Sequence, residues 1–154
     1  MSDAPGLSVR PAVPADVGAM RELAEMAYQV YVERIGRGPA PMTADYGRIV
    51  ETGQAWVAER DDRIVGLLVL ESAQGSLLLE NVAVAPQAQG MGVGGRLLQL
   101  AEDQARVQGL PEVRLYTNEA MIENLAYYPR HGYRETHRGT DSGFRRVFFT
   151  KLLT

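Results

Sequence analysis

A chain of 154 residues with a formal net charge of −3 is sized for one domain spanning 1–154, large enough to bury about 70% of its unfolded surface without help from disulfides or metal. The absence of cysteine excludes a disulfide framework, a thiolate zinc site and a cysteine nucleophile. His131 and His137 form no His-Glu-x-x-His pattern, so no metal is expected, and mild acidity without a basic run argues against nucleic acid as a partner. The opening Met-Ser-Asp-Ala-Pro lacks a basic segment followed by an apolar one, and the longest apolar stretch, Ile64 to Leu70, is too short to cross a bilayer. The expectation is a cytoplasmic protein with no membrane partner, acting on a cationic or neutral substrate.

Leu7 to Arg10 reads as a short strand and Pro14-Ala15-Asp16 as a helix start. Met20, Leu23, Ala27 and Val30 recur at helical spacing and should face the core. The run Gly36-Arg37-Gly38-Pro39-Ala40-Pro41 is a connection, because it suits neither helix nor strand; a shorter helix should follow, with Thr43 as N-cap and a stop at Gly53. Ala55 to Glu59 and Ile64 to Glu71, separated by Arg60-Asp61-Asp62-Arg63, form the clearest hairpin. Leu77 to Val84 is a longer strand. Helix Val93 to Gln108 stops at Gly109 with Pro111 beyond. Strand Val113 to Thr117, helix Met121 to His131 and strands Tyr133 to His137 and Phe144 to Lys151 complete the order, with Gly139 to Gly143 as a loop.

The most informative junction is Val82-Ala83-Val84-Ala85-Pro86-Gln87-Ala88-Gln89-Gly90-Met91-Gly92-Val93-Gly94-Gly95-Arg96. A glycine-rich turn opening a helix leaves the first amide N–H groups unpaired, and the helix dipole adds partial positive charge at the same place. Gly90, Gly92 and Gly94 allow close approach of a phosphate that a Cβ would exclude. Three other readings fit less of the pattern. Gly90-x-Gly92-x-x-Gly95 matches a dinucleotide fingerprint, but Pro86 to Gln89 intervenes between strand and glycines and too little chain follows. Gly90 to Gly95 has Walker spacing, but Arg96-Leu97 replaces the Lys-Ser/Thr that holds phosphate and magnesium. A plain strand-to-helix turn is the remaining alternative.

Gln89-Gly90-Met91-Gly92-Val93-Gly94 resembles the Gln/Arg-x-x-Gly-x-Gly/Ala signature of the GCN5-related N-acetyltransferases, preceded by their Val-Ala-Val-x-Pro strand. Downstream, Asn124-Leu125-Ala126-Tyr127-Tyr128-Pro129-Arg130-His131-Gly132-Tyr133 is similar to the family helix that ends in Leu-Tyr-x-x-x-Gly-Phe, with Tyr128 at the tyrosine position. The resemblance runs from about Arg10 to Leu152 and is weakest in the first third. It implies a mixed α/β fold, a twisted central sheet with helices on both faces, and acetyl-coenzyme A as co-substrate. It also implies an N-acetyltransferase in which a primary amine of a small molecule or peptide attacks directly in a ternary complex. A non-catalytic acyl-coenzyme A-binding module on the same fold is the alternative.

The resemblance assigns the main chain of Val82, Ala83 and Val84 to the pantetheine arm. The amides of Gln89, Gly90, Met91, Gly92, Val93, Gly94 and Gly95 go to the pyrophosphate, and Asn124 to the pantetheine amides. It makes Tyr128 the general acid toward the thiolate, a role a protonated phenol can fill at neutral pH. Pro129 interrupts the helix beside it and should kink or end it early. Glu80 alternates with Val82 and Val84 on one strand face, which turns it toward the centre of the sheet where the resemblance implies a base, with a solvated strand carboxylate as the other reading. Tyr28, Tyr31, Met42 and Tyr46, with Asp45, are the candidate acceptor contacts, or else pack two helices on the sheet. His131, beside the helix stop at Gly132, reads as structural. The loop Gly36 to Met42 is expected to border the acceptor, and the late strand around Arg145 to Phe149 to offer a surface for a homodimer.

Overall fold

A computed structural model describes residues 6–36, 38, 40–141 and 143–154. Strand β1 (Ser8–Pro11) is followed by a 3₁₀ turn (Pro14–Asp16), helix α1 (Val17–Ile35), a second 3₁₀ turn (Ala40–Thr43) and helix α2 (Tyr46–Glu51). Strands β2 (Ala55–Arg60), β3 (Arg63–Ala73) and β4 (Ser76–Val84) then form a meander, and helix α3 (Val93–Val107) leads into β5 (Glu112–Asn118). Helix α4 (Ile122–Arg130) and strands β6 (Arg134–Asp141) and β7 (Phe144–Leu152) complete the chain. The strands make one sheet in the order β1-β2-β3-β4-β5-β7-β6, antiparallel except between β4 and β5. The expected mixed α/β architecture is therefore the one observed. Among the described residues no helix is long and apolar enough to cross a membrane.

The core lies along β3, where Val65 to Leu70 are buried without interruption. A strand with successive residues buried must be covered on both faces. One cover is α3: a Cβ on Gly66 would fall 2.8 Å from Val93 Cγ1, so glycine is what lets this helix lie close on the sheet. The β2–β3 turn places Asp61 and Asp62 at positive φ (52° and 61°), the paired left-handed conformation that suits the right-handed strand twist.

Several boundaries differ from those read in the sequence. Thr43 belongs to the 3₁₀ turn, and α2 is capped instead by Asp45, whose carboxylate accepts the Arg48 amide at 3.1 Å. In α1 Met20, Leu23 and Ala24 are buried and Ala27 packs against the core, but Val30 is 59% exposed. Its spacing is correct; the sheet beneath it has opened, so no core lies there to meet it. Strand β6 runs to Asp141, pairing Gly139 with Arg146 and Asp141 with Phe144, so most of the expected loop is strand. Arg37 and Pro39 of the Gly36 to Met42 loop, and Ser142, lie outside the described residues.

Two features of β4 open the sheet. Its register against β3 pairs Val69 with Asn81 and Leu70 with Leu79, which leaves Glu80 as an extra residue and bends the strand. Against β5 it pairs only at Leu77 and Leu78. Beyond that point the two strands diverge.

Candidate active site

The divergence leaves a cleft of about 860 Å³ walled by Leu79 to Val84 of β4, Leu115 to Asn118 of β5, the start of α3, and faces of α1 and α4. That volume lies in the range of small-molecule sites. A smaller hollow of about 270 Å³ adjoins it and shares Pro41, Glu80, Asn81 and Tyr116 with it.

At one end, Gly90 and Gly92 adopt positive φ (81° and 85°), and Gly92 caps α3. Arg96 N–H donates to the Gly92 carbonyl at 3.1 Å, so the preceding amides of Val93, Gly94 and Gly95 point out of the helix start. A Cβ on Gly94 would lie 2.7 Å from the Tyr127 hydroxyl, which shows how closely α3 and α4 approach. Gln89, Gly90, Gly92, Val93, Gly94 and Gly95 all line the cleft. The Met91 side chain does not; its sulfur accepts from Arg60 Nη1 at 3.1 Å. Val82, Ala83 and Val84 also line the cleft, past the last residue of β4 that pairs with β5. Asn124 donates to Thr117 Oγ1 at 3.0 Å, and among the described residues its own Oδ1 accepts nothing, which leaves an amide acceptor on the cleft wall.

The cleft wall also carries titratable groups. Tyr128 is 6% exposed and its ring packs against Tyr127, Tyr133 and Phe149, yet it contributes to the cleft wall. Burial raises its pKa well above that of a free tyrosine, so it stays protonated and able to donate. Pro129 is the penultimate residue of α4, and the helix ends at Arg130. The expected early stop falls after Tyr128, whose place in the aromatic cluster is kept. Glu80, on the bulge, is pushed up to about 7, by desolvation first, then by a shared hydrogen bond and charge repulsion with Glu71, with Arg146 opposing.

The four expected acceptor residues separate. Tyr28 and Tyr31 line the cleft, with the Arg34 guanidinium 5.2 Å above the Tyr31 ring. Met42 lines neither hollow and packs toward Gly38. Tyr46 is fully buried, a correction to its expected role as an acceptor contact. Its hydroxyl donates to the Pro41 carbonyl and accepts from Asn81 Nδ2 at 2.9 Å, while Tyr28 donates to Asn81 Oδ1. Asn81 thus ties α1, the bulge and the Ala40–Thr43 turn together. Asp45 caps α2.

Glu71, Asn81, Tyr116, Thr117 and Arg146 were missed in the sequence; His131, read there as structural, also lines the cleft. Asn81 carried a usable signal, a polar residue at period two with Leu79 and Ala83. The others reach the site through strand register and helix packing, which no local pattern encodes.

The profile of the acetyltransferase (GNAT) domain matches residues 51–135, more than half the chain, and the chain belongs to that family. It is 39% identical over 56 residues to YjhQ, an uncharacterized N-acetyltransferase of Escherichia coli K12, a match covering 36% of this chain and 28% of that protein. Matches to curated relatives span only 28%, 25% and 53% of those proteins. Among solved structures, a GCN5-related N-acetyltransferase of Rhodopseudomonas palustris superposes with TM-score 0.80 at 19% identity, over 99% of both chains. The PaiA N-acetyltransferase of Thermoplasma acidophilum, solved in complex with coenzyme A, gives 0.79 at 16% identity, over 99% of this chain and 100% of that one. At these identities the likeness shows the fold.

Proposed function

We propose that this protein is an acetyl-coenzyme A-dependent N-acetyltransferase acting on a primary amine of a small molecule or peptide. The observation that carries this reading is the coincidence, in one cleft, of an outward-pointing helix start, a strand edge paired with no other strand and a carboxyl raised to about 7. The amides of Val93 to Gly95 suit a pyrophosphate. The main chain of Val82 to Val84 suits pairing with an extended amide-bearing arm, as in strand addition, and Asn124 Oδ1 can accept from the same arm.

The chemistry needs a neutral amine, polarisation of the thioester carbonyl and a proton for the departing sulfur. Glu80 takes a proton from the incoming ammonium and passes it to solvent. The amine nitrogen then forms the C–N bond as the C–S bond breaks. Tyr128 supplies the proton that the thiolate keeps, and the second proton lost by nitrogen restores the phenol. Glu80 suits its part because a base titrating near 7 is poised at neutral pH.

The test is release of free coenzyme A from acetyl-coenzyme A in the presence of a panel of amines. Amine-dependent release supports the enzyme. Tight cofactor binding with no release for any amine would leave a binding module instead.

A further inference from the structure

Arg146 on β7 lines the cleft beside Tyr116, and its side chain is only 11% exposed, an unusual depth for arginine. Its guanidinium sits over the Tyr116 ring, Cζ 4.1 Å from the centroid, with the Phe144 ring 5.8 Å away. A cation held over a ring face keeps its N–H groups available for hydrogen bonds. The fork already holds a carboxylate: Nη1 donates to Asp141 Oδ2. Asp141, near the tip of the β6–β7 hairpin, is itself 60% exposed, so water can solvate its carboxylate when another carboxylate takes its place on the fork.

Glu80 and Tyr116 line both the cleft and the smaller hollow, and Glu71 lines the hollow. The acceptor end therefore offers a carboxyl that can take an ammonium and, against the same wall, a planar cation suited to a carboxylate. Arg146 is near enough to Glu80 to act on its ionisation. A polyamine would meet the arginine as a like charge; an acceptor bearing both groups would satisfy both ends.

We propose that the acceptor is a small amino carboxylic acid, its amine at Glu80 and its carboxylate on Arg146 in place of Asp141. This rests on the acetyltransferase reading above. The carboxylate is unchanged by the reaction, and Arg146 sets specificity.

The test measures coenzyme A release with matched pairs, leucine against isopentylamine and phenylalanine against 2-phenylethylamine. Because the amines differ in basicity, the ratio of kcat/KM within each pair is compared between variants. Arg146→Gln should lower the amino-acid preference by about 10- to 100-fold, the loss expected for a charge-assisted hydrogen bond, and Asp141→Asn should raise it severalfold. The second variant keeps the test decisive if Arg146→Gln folds poorly. Ratios that stay within twofold of wild type in both variants overturn the inference while leaving the acetyltransferase reading intact. No turnover with any amine overturns that reading, and the inference with it.

Discussion

The two edges of β4 differ along the same residues. Toward β3 it is paired from Ser76 to Val84; toward β5 it is paired at Leu77 and Leu78 alone. Backbone that no strand pairs must be satisfied otherwise; here the Val82 carbonyl accepts the Tyr28 hydroxyl at 3.1 Å, and the edge faces a cleft rather than another strand. The paired edge belongs to the buried meander that organises the core, and the open edge carries the groups proposed to bind and react. One bulged residue, Glu80, separates the two behaviours and also carries the carboxyl raised to about 7.

The strongest way to break this division is at the helix start beyond the open edge. Gly92→Glu places charge against the proposed pyrophosphate, and like charges in such a site cost several kcal/mol, so acetyl-coenzyme A affinity should fall about 100-fold or more by calorimetry. Gly92→Ala shares the left-handed backbone penalty, about 1–2 kcal/mol, without the charge. It should lose thermal stability while losing far less affinity.

On the rate, Glu80→Gln should lower kcat/KM by roughly 10²–10⁴ and abolish an acidic limb near pH 7, the value to which the Glu80 carboxyl is raised. Glu71→Gln removes the neighbour that raises that carboxyl, so the limb should move to lower pH with activity retained. The same shift has a stability consequence. A carboxyl raised in the folded state makes ionisation unfavourable to folding: the cost is absent below the ordinary carboxylate range, grows as pH rises toward about 7, and is complete above it. Glu80→Gln should therefore raise Tm at pH 8 and leave it unchanged at pH 4.

Tyr128→Phe keeps the ring in its aromatic cluster and removes the hydroxyl. At saturating substrates kcat should fall about 100-fold, toward the low end for a general acid because thiolate is a good leaving group, with cofactor affinity nearly unchanged. The smallest effect on rate is expected at Asn81→Leu, which acts on the link between the edges rather than on either. It removes one partner from each of the Tyr28 and Tyr46 hydroxyls, which keep the Val82 and Pro41 carbonyls, costs about 0.5–1.5 kcal/mol of stability, and should raise the acceptor KM more than it lowers kcat.

The element order, the Asp61-Asp62 turn and the glycine-opened α3 were legible because each has a local cause: period-two or helical spacing, residues tolerant of positive φ, a helix start without Cβ atoms. The opening of β4 from β5 had no such cause. Leu77-Leu78-Leu79-Glu80-Asn81 gives a face for each residue under regular alternation, but a bulge depends on the partner strand's register. Tyr46 shows the same limit: a six-residue helix is too short for periodicity to say which side is buried. Arg145-Arg146 could not be sorted into one exposed and one inward arginine until the pairing of β7 was known.

The central claim, that the open edge of β4 and the start of α3 together form the cofactor site, is tested most directly by amide hydrogen exchange with and without acetyl-coenzyme A. New protection is expected at Val82 to Val84 and at Val93 to Gly95, with the β2–β3 hairpin unchanged. Saturating cofactor that protects neither segment, or protects amides elsewhere instead, would contradict it.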